Sequence, residues 1–255
     1  MVMKNILVKL IGYTATVLHG DTAVFDRWKW LKKNLQTGPL RTLDAGCGSG
    51  AFTMYAAKIG NEAIGISFDE RNNAVATERA KILNILNAKF IQGDLRKLDE
   101  MSKDLGKFDQ IICFETIEHI LNDKKLVKDF YSLLNPGGKL LLTTPYKYYK
   151  HLYGDQIKMA VCENGNHVRR GYTFEELKNL LKEAGFEMEL EESITGFISQ
   201  QLINLIRIIG DISSGFGKIA WAITFPLRIL VVFDKPLTKL INYPFFSVAI
   251  IASKK

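Results

Sequence analysis

The 255 residues are 47% apolar and 24% charged, the balance of one large domain, or one domain with a smaller appendage, that can pack a core. Three cysteines, Cys47, Cys113 and Cys162, show no CxxC spacing, which excludes a disulfide framework and points to a reducing compartment. The net charge of +7 is uneven: from residue 197 onward seven basic residues stand against two acidic ones in an apolar background, which suits an anionic membrane surface better than nucleic acid.

The opening "NILVKLIGYTATVLHG" resembles a secretion leader only faintly, because Lys9 interrupts its apolar run and no small-residue cleavage site follows. Residues 1–39 are therefore expected to form an N-terminal helical cap. Between 40 and 145, "RTLDAG", "EAIGIS", "AKFIQGD" and "FDQIICF" each read as a strand entering a loop, and "GKLLLTT" reads as a fifth strand after the turn "NPGG". Between them "AFTMYAAKIG", "RNNAVATERAKILNIL" and "DKKLVKDFYSLL" carry apolar residues at helical spacing. This alternation predicts an α/β fold, a doubly wound, Rossmann-like, mostly parallel sheet whose ligands sit at the carboxyl ends of the strands. A long connection follows, and then "TFEELKNLLKEAGF", a helix with a capping box from Thr173 to Glu176 and a stop at Gly185. "EMELEESITGF" is a candidate sixth strand and "FFSVAIIASKK" a last one, giving a core over 40–197 completed by residues 245–255. Between them, 198–244 is an apolar, basic helical insertion. It is too interrupted to span a bilayer: between Lys218 and Arg228 only nine residues are uncharged, and Pro226 breaks the run, whereas a spanning helix needs about 20 apolar residues.

"LDAGCGSG" links the first strand to the first helix of the core. Its glycines let the backbone approach a ligand beside a helix N-terminus, and they are spaced GxGxG rather than the GxGxxG of dinucleotide loops. Together with "IGIS", "GDLRKL", "FDQIICFETIEHI" and "LLNPGGKLLLTTP" in this order, the loop resembles the motifs of class I S-adenosylmethionine-dependent methyltransferases over roughly residues 40–145. The resemblance implies a seven-stranded sheet and S-adenosyl-L-methionine as cofactor. It assigns Asp44, Gly46, Cys47, Gly48 and Gly50 to the cofactor loop, Asp94 to the adenine amine with Leu95 beside it, and Phe114 to the cofactor's border. The family's ribose-gripping acid at the end of the second strand is replaced here by Ser67, followed by Phe68. This pattern resembles the cyclopropane synthases, with Asn72 as the later amide, while Asp69 falls outside the usual register.

Glu115, Glu118 and His119 follow the fourth strand. On a helical turn their spacing puts two carboxylates and an imidazole on one face, a set able to hold a divalent cation. His167, in "ENGNHVRRGY", is a candidate fourth ligand from the long connection. The segment "ETIEH" with a later "NH" resembles two metal-dependent groups, the O-methyltransferases of ubiquinone biosynthesis and the small-RNA 3′-end 2′-O-methyltransferases. Both act on one oxygen of a vicinal pair. Mg²⁺, Mn²⁺ or Zn²⁺ would suit the donors; the metal-free alternative is general-base work by His119 or His167, with Glu115 in support. Tyr146, Tyr148 and Tyr149 are candidate walls of the acceptor pocket.

The expected function is O-methylation of a hydrophobic lipid-like or quinol-like acceptor with adjacent hydroxyls. The protein would be cytoplasmic and peripheral to the inner face of the membrane, its insertion lying in the interface. The competing readings are a metal-free lipid C- or N-methyltransferase, an RNA 2′-O-methyltransferase, an inactive methyltransferase-like subunit, and an insertion that merely packs on the sheet.

Overall fold

The structure, a computed structural model, describes residues 2–18, 22–152, 154, 159–212, 219–220 and 222–255. Three helices, α1 (Val2–Ile11), α2 (Tyr13–Leu18) and α3 (Thr22–Asn34), precede the sheet. The chain then alternates β1 (Arg41–Ala45), α4 (Ala51–Lys58), β2 (Glu62–Ser67), α5 (Glu70–Ile82), β3 (Ala88–Gln92), α6 (Leu98–Leu105), β4 (Phe108–Phe114), α7 (Asp123–Leu133) and β5 (Leu134–Pro145). It finishes with α8 (Phe174–Glu183), β6 (Phe186–Ile194), α9 (Phe197–Ile212), a 3-10 segment (Pro226–Phe233), α10 (Asp234–Leu240) and β7 (Ser247–Lys254). The strand order is β3-β2-β1-β4-β5-β7-β6; β1 to β5 pair in parallel, and β7 runs antiparallel to both of its neighbours. This is the seven-stranded, mostly parallel, doubly wound sheet expected from the sequence.

Strand pleating divides the core into two faces. On β4, Ile111 and Cys113 join a cluster with Leu140, Leu142, Phe130 and Leu181, while Ile112 and Phe114 join Leu141, Trp30, Met54 and Ala249. Central strands covered on both faces lose the apolar–polar alternation of a half-exposed strand, and the last four residues of β4, Ile111–Phe114, read as a continuous apolar run for that reason. The "NPGG" turn sits inside β5, as an excursion between Leu134, which pairs with Phe108, and Lys139, which pairs with Gln110. The capping box of α8 forms: Glu176 N donates to Thr173 Oγ1 (3.1 Å) and Thr173 N to Glu176 Oε2 (2.9 Å).

The chain leaves the sheet at Thr195 and returns at Phe246, whose backbone N donates to Thr195 O (2.8 Å). Buried Asp234 ties the two arms together. Its carboxylate accepts from the backbone N of Gly196 (2.9 Å) and Ile198 (2.6 Å), the uncapped donors of the first turn of α9, while Thr238 Oγ1 accepts from Phe197 N (2.7 Å). Leu202 and Ile203 are buried, but thirteen of the 21 large exposed apolar residues among the described ones fall between 205 and 241. The insertion therefore does not simply pack its apolar side chains onto the sheet. No helix among the described residues is long and apolar enough to cross a membrane.

Candidate active site

The glycine loop floors a cavity of about 880 Å³ lined by Gly46, Gly48, Ser67, Phe68, Asn72, Asp94 and Leu95, with Glu115, Thr116 and His119 at one end. Gly48 (φ +50°) has no atom of the described residues within 4 Å of where a Cβ would lie, so its missing side chain leaves the cradle free for a ligand. Gly46 (φ +90°) has a different reason: a Cβ there would lie 2.2 Å from Thr116 Oγ1. Four residues assigned to the cofactor loop or its border are instead absent from the cavity wall: Gly50 faces inward, where a Cβ would lie 2.6 Å from Phe90 Cε1 and 2.8 Å from Ala76 Cβ, and Cys47, Asp44 and Phe114 are buried. Cys47 is buried beneath the loop, with burial pushing its thiol up, and Asp44 is buried behind it. Phe114 belongs to the core, its ring 5.1 Å from Phe52 and 5.8 Å from Trp30, because strand parity turns it to the far face of the sheet.

Asp44 accepts a 2.6 Å hydrogen bond from Thr53 Oγ1, yet desolvation pushes its carboxyl up to about 6. The folded chain keeps this proton to about pH 6, whereas an unfolded carboxyl loses it near pH 4. The associated stability is therefore fully present below about pH 4 and is lost as pH rises through about 6. Asp44→Asn is expected to raise stability by about 1–3 kcal/mol at pH 7.5 and by little at pH 4. Thermal melts at the two pH values check this, and an equal shift at both would mean that charge desolvation at Asp44 is not the cause.

Asp94 caps the 3-10 turn Leu95–Lys97 and is gripped by Arg96, whose Nε and Nη2 donate to its two oxygens at 2.6–2.9 Å. These bonds hold the carboxyl below its ordinary range, so it remains an ionised acceptor in the cavity wall. Arg96 Nη1 also donates to Glu163 Oε2 (3.2 Å), and its guanidinium lies 5.7 Å from the centre of the exposed Phe68 ring. Asp69 also lines this cavity while capping α5 and pairing with Arg71.

At the end of β4 the regular helical turn expected for Glu115 to His119 does not form. Glu115 adopts a left-handed conformation (φ +47°) and is followed by a 3-10 turn, Ile117–His119. The two carboxylates consequently point to different partners. Glu115 accepts from Thr143 Oγ1 (3.2 Å) and Ser247 Oγ (3.1 Å) and pairs with Arg27 (3.5 Å). Glu118 is fully buried: one oxygen accepts from Thr144 Oγ1 (3.1 Å), and the other, 4.0 Å from His119 Nε2, has no hydrogen bond among the described residues. Desolvation, and then the nearby Glu115, raise the Glu118 carboxyl well above its ordinary range. Glu118, His119 and His167 each bring one ligand atom within 4.8 Å of the others, and the two imidazoles meet edge to face at 4.5 Å. Burial, helped by His119, holds the His167 imidazolium down to about 4, so the ring is neutral at pH 7. An orphaned carboxylate oxygen beside two imidazoles fits a divalent cation; Glu115 lies outside this trio.

The trio opens on a second cavity, of about 540 Å³, lined by Ala23, Arg27, Tyr149, His151, Arg207 and Phe246 among others. It shares Glu115, His119 and Asn164 with the first cavity. Of the three tyrosines expected to line an acceptor pocket, Tyr149 lines this second cavity, while Tyr148 is exposed and Tyr146 packs on the core. Arg27, Arg96, Glu163 and Arg207 carry no motif of their own; only the short "GDLRKL" spacing placed Arg96 near Asp94.

A sheet of this order, with a glycine loop after its first strand and an acid after its third, defines an α/β fold that holds a nucleoside-bearing ligand at the carboxyl ends of its strands. A methyltransferase-domain family model matches residues 24–191, and the chain belongs to that family. It is 30% identical over 145 residues to a ubiquinone biosynthesis O-methyltransferase of Coxiella burnetii, a match that spans 55% of this chain and 60% of that one. With the protein of the same description from Xanthomonas axonopodis pv. citri it shares 26% over 191 residues, 71% of this chain and 76% of the other. Its fold is similar to an S-adenosylmethionine-dependent methyltransferase from Mesorhizobium loti (19% identity, 93% of this chain, 100% of the other, TM-score 0.59). It is also similar to a coclaurine N-methyltransferase bound to N-methylheliamine and SAH (14% identity, 89% and 71% coverage, TM-score 0.57).

Proposed function

We propose that the protein is an S-adenosylmethionine-dependent O-methyltransferase of a membrane-borne amphiphile with adjacent hydroxyls, assisted by a divalent cation at Glu118, His119 and His167. The observation that carries this reading is the trio's position where the two cavities meet, with one buried carboxylate oxygen lacking a hydrogen bond among the described residues. When bound, the cofactor supplies an electrophilic methyl group, and the cation would acidify and orient a chelating hydroxyl. The chain's own residues do the rest. Gly46 and Gly48 leave room for the amino-acid end, Ser67 and Asn72 offer polar groups to the ribose, and Asp94 accepts from the adenine amine. Glu115, fixed by Arg27, Thr143 and Ser247, presents a carboxylate to both cavities and can take a proton from the acceptor. The ubiquinone-biosynthesis relatives support an oxygen acceptor.

The exposed apolar side chains of the insertion support delivery from a membrane surface. Arg207 lines the acceptor cavity and Arg228 is buried, so neither adds outward charge, and Lys218 lies outside the described residues. Apolar contact, more than charge, is then the expected source of binding. The test is methyl transfer from labelled cofactor into vesicles of total lipid extract and into a soluble catechol. Chelator should abolish both transfers, and Mn²⁺ should restore them. Replacing Ile229, Val232 and Phe233, which are 63–76% exposed, with serine should cut vesicle transfer about tenfold or more while sparing the catechol. Transfer that persists in chelator removes the cation from the reading, and equal loss on both acceptors removes the membrane.

A further inference from the structure

The connection after β5 reaches both halves of the site. Its base is fastened: Tyr172 N donates to Pro145 O (3.0 Å), and Arg169 donates to the carbonyls of Ile120 (2.7 Å) and Leu121 (2.9 Å). Its tip, residues 160–167, is closed on itself by Ala160 N donating to His167 O (2.9 Å). The outer end of that tip is held by Glu163, whose Oε1 accepts from Leu121 N (2.7 Å) and whose Oε2 accepts from Arg96 (3.2 Å). The same Arg96 grips Asp94 in the cofactor wall. Glu163, Asn164 and Gly165 complete that wall, while His167, at the tip's other end, completes the trio.

We propose that Arg96 and Glu163 are a positioning pair that couples filling of the cofactor cavity to delivery of His167 to the metal trio; this rests on the cation reading above. The partners are 37% and 20% exposed, and an ion pair so placed contributes little by itself. A weak latch is one that a ligand can tip. A ligand in the first cavity touches residues 163–165 only while the tip is seated, so it binds the seated arrangement better and raises its population. The seated arrangement is also the one that sets His167 beside Glu118 and His119. Cofactor and cation should therefore strengthen each other's binding by the same factor, as linkage requires.

The experiment measures Mn²⁺ affinity of the full chain by spin resonance and calorimetry, with and without S-adenosylhomocysteine, alongside the homocysteine compound's affinity with and without Mn²⁺. In the unaltered protein each ligand should tighten the other by about tenfold, within the usual range for coupled sites. In Glu163→Ala the factor should shrink to within about twofold, while Mn²⁺ still binds alone, because Glu118, His119 and His167 are unchanged and Val168 N still donates to Glu118 O (3.0 Å) beside His167. Glu163→Gln, which keeps an acceptor for Leu121 N, should fall between. Undiminished coupling in Glu163→Ala overturns the proposal, as does its absence from the unaltered protein when Mn²⁺ binds. Failure of the unaltered protein to bind Mn²⁺ under any of these conditions overturns the cation reading and the coupling together.

Discussion

Glu118→Gln is expected to abolish Mn²⁺ binding and to reduce methyl transfer by on the order of 100-fold or more, without lowering the melting temperature of the metal-free protein. The two effects separate because Glu118 is fully buried, with one oxygen unpartnered and its ionised form disfavoured by desolvation. Glutamine keeps the shape and an acceptor for Thr144 Oγ1 while removing the charge that a cation needs. A carboxylate serving only the fold would give the opposite pattern, a lower melting temperature with activity intact. Cofactor affinity, measured by calorimetry in the absence of metal, should stay within about twofold, since Asp94 and the glycine loop are unchanged. Full activity of the variant in chelator would sink the metal reading.

Gly48→Val is expected to lower affinity for S-adenosylhomocysteine by on the order of 100-fold or more, as a β-branched side chain fills the cradle. The fold should survive, because a Cβ at this position meets nothing within 4 Å and the remaining penalty is the left-handed backbone at φ +50°; that strain costs about 1–2 kcal/mol. Gly46→Ala reverses the balance. Its Cβ would sit 2.2 Å from Thr116 Oγ1 and press on the turn that carries Glu118 and His119. It should lower the melting temperature more than Gly48→Val does. Unchanged ligand affinity in Gly48→Val would remove the glycine loop from the cofactor site.

The strands were readable because central strands covered on both faces carry short apolar runs beside turn residues, as Ala63–Ile66 of β2 and Ile111–Phe114 of β4 do. α6 (Leu98–Leu105) escaped notice because it is a single short run of eight residues, although Leu98, Met101 and Leu105 recur at helical spacing and pack on the core. Within the site, what a local motif carries could be read: the glycine loop, Asp94 and the spacing that joins Glu118 to His119. What depends on a distant element could not. A helical reading of "ETIEH" gave both glutamates one direction, whereas the left-handed Glu115 turns its carboxylate to Arg27, Thr143 and Ser247 on three other elements. Phe114 shows the complementary limit. Position along the strand placed it at the site, and strand parity, which follows from the sheet, placed it between Trp30 and Phe52.

The insertion leaves and rejoins the sheet at one hydrogen-bonded point, Thr195 with Phe246, and Asp234 clamps its two arms just outside that point. A segment stapled at its root can be lengthened, shortened or exchanged between homologous genes without rethreading a strand, since loop-closure entropy grows only slowly with length. Arg207 lines the second cavity, the proposed acceptor site, from this same segment. A single recombination event confined to residues 196–245 would thus carry a new surface and a new cavity wall together, and acceptor range could diversify while the sheet and its glycine loop are inherited intact.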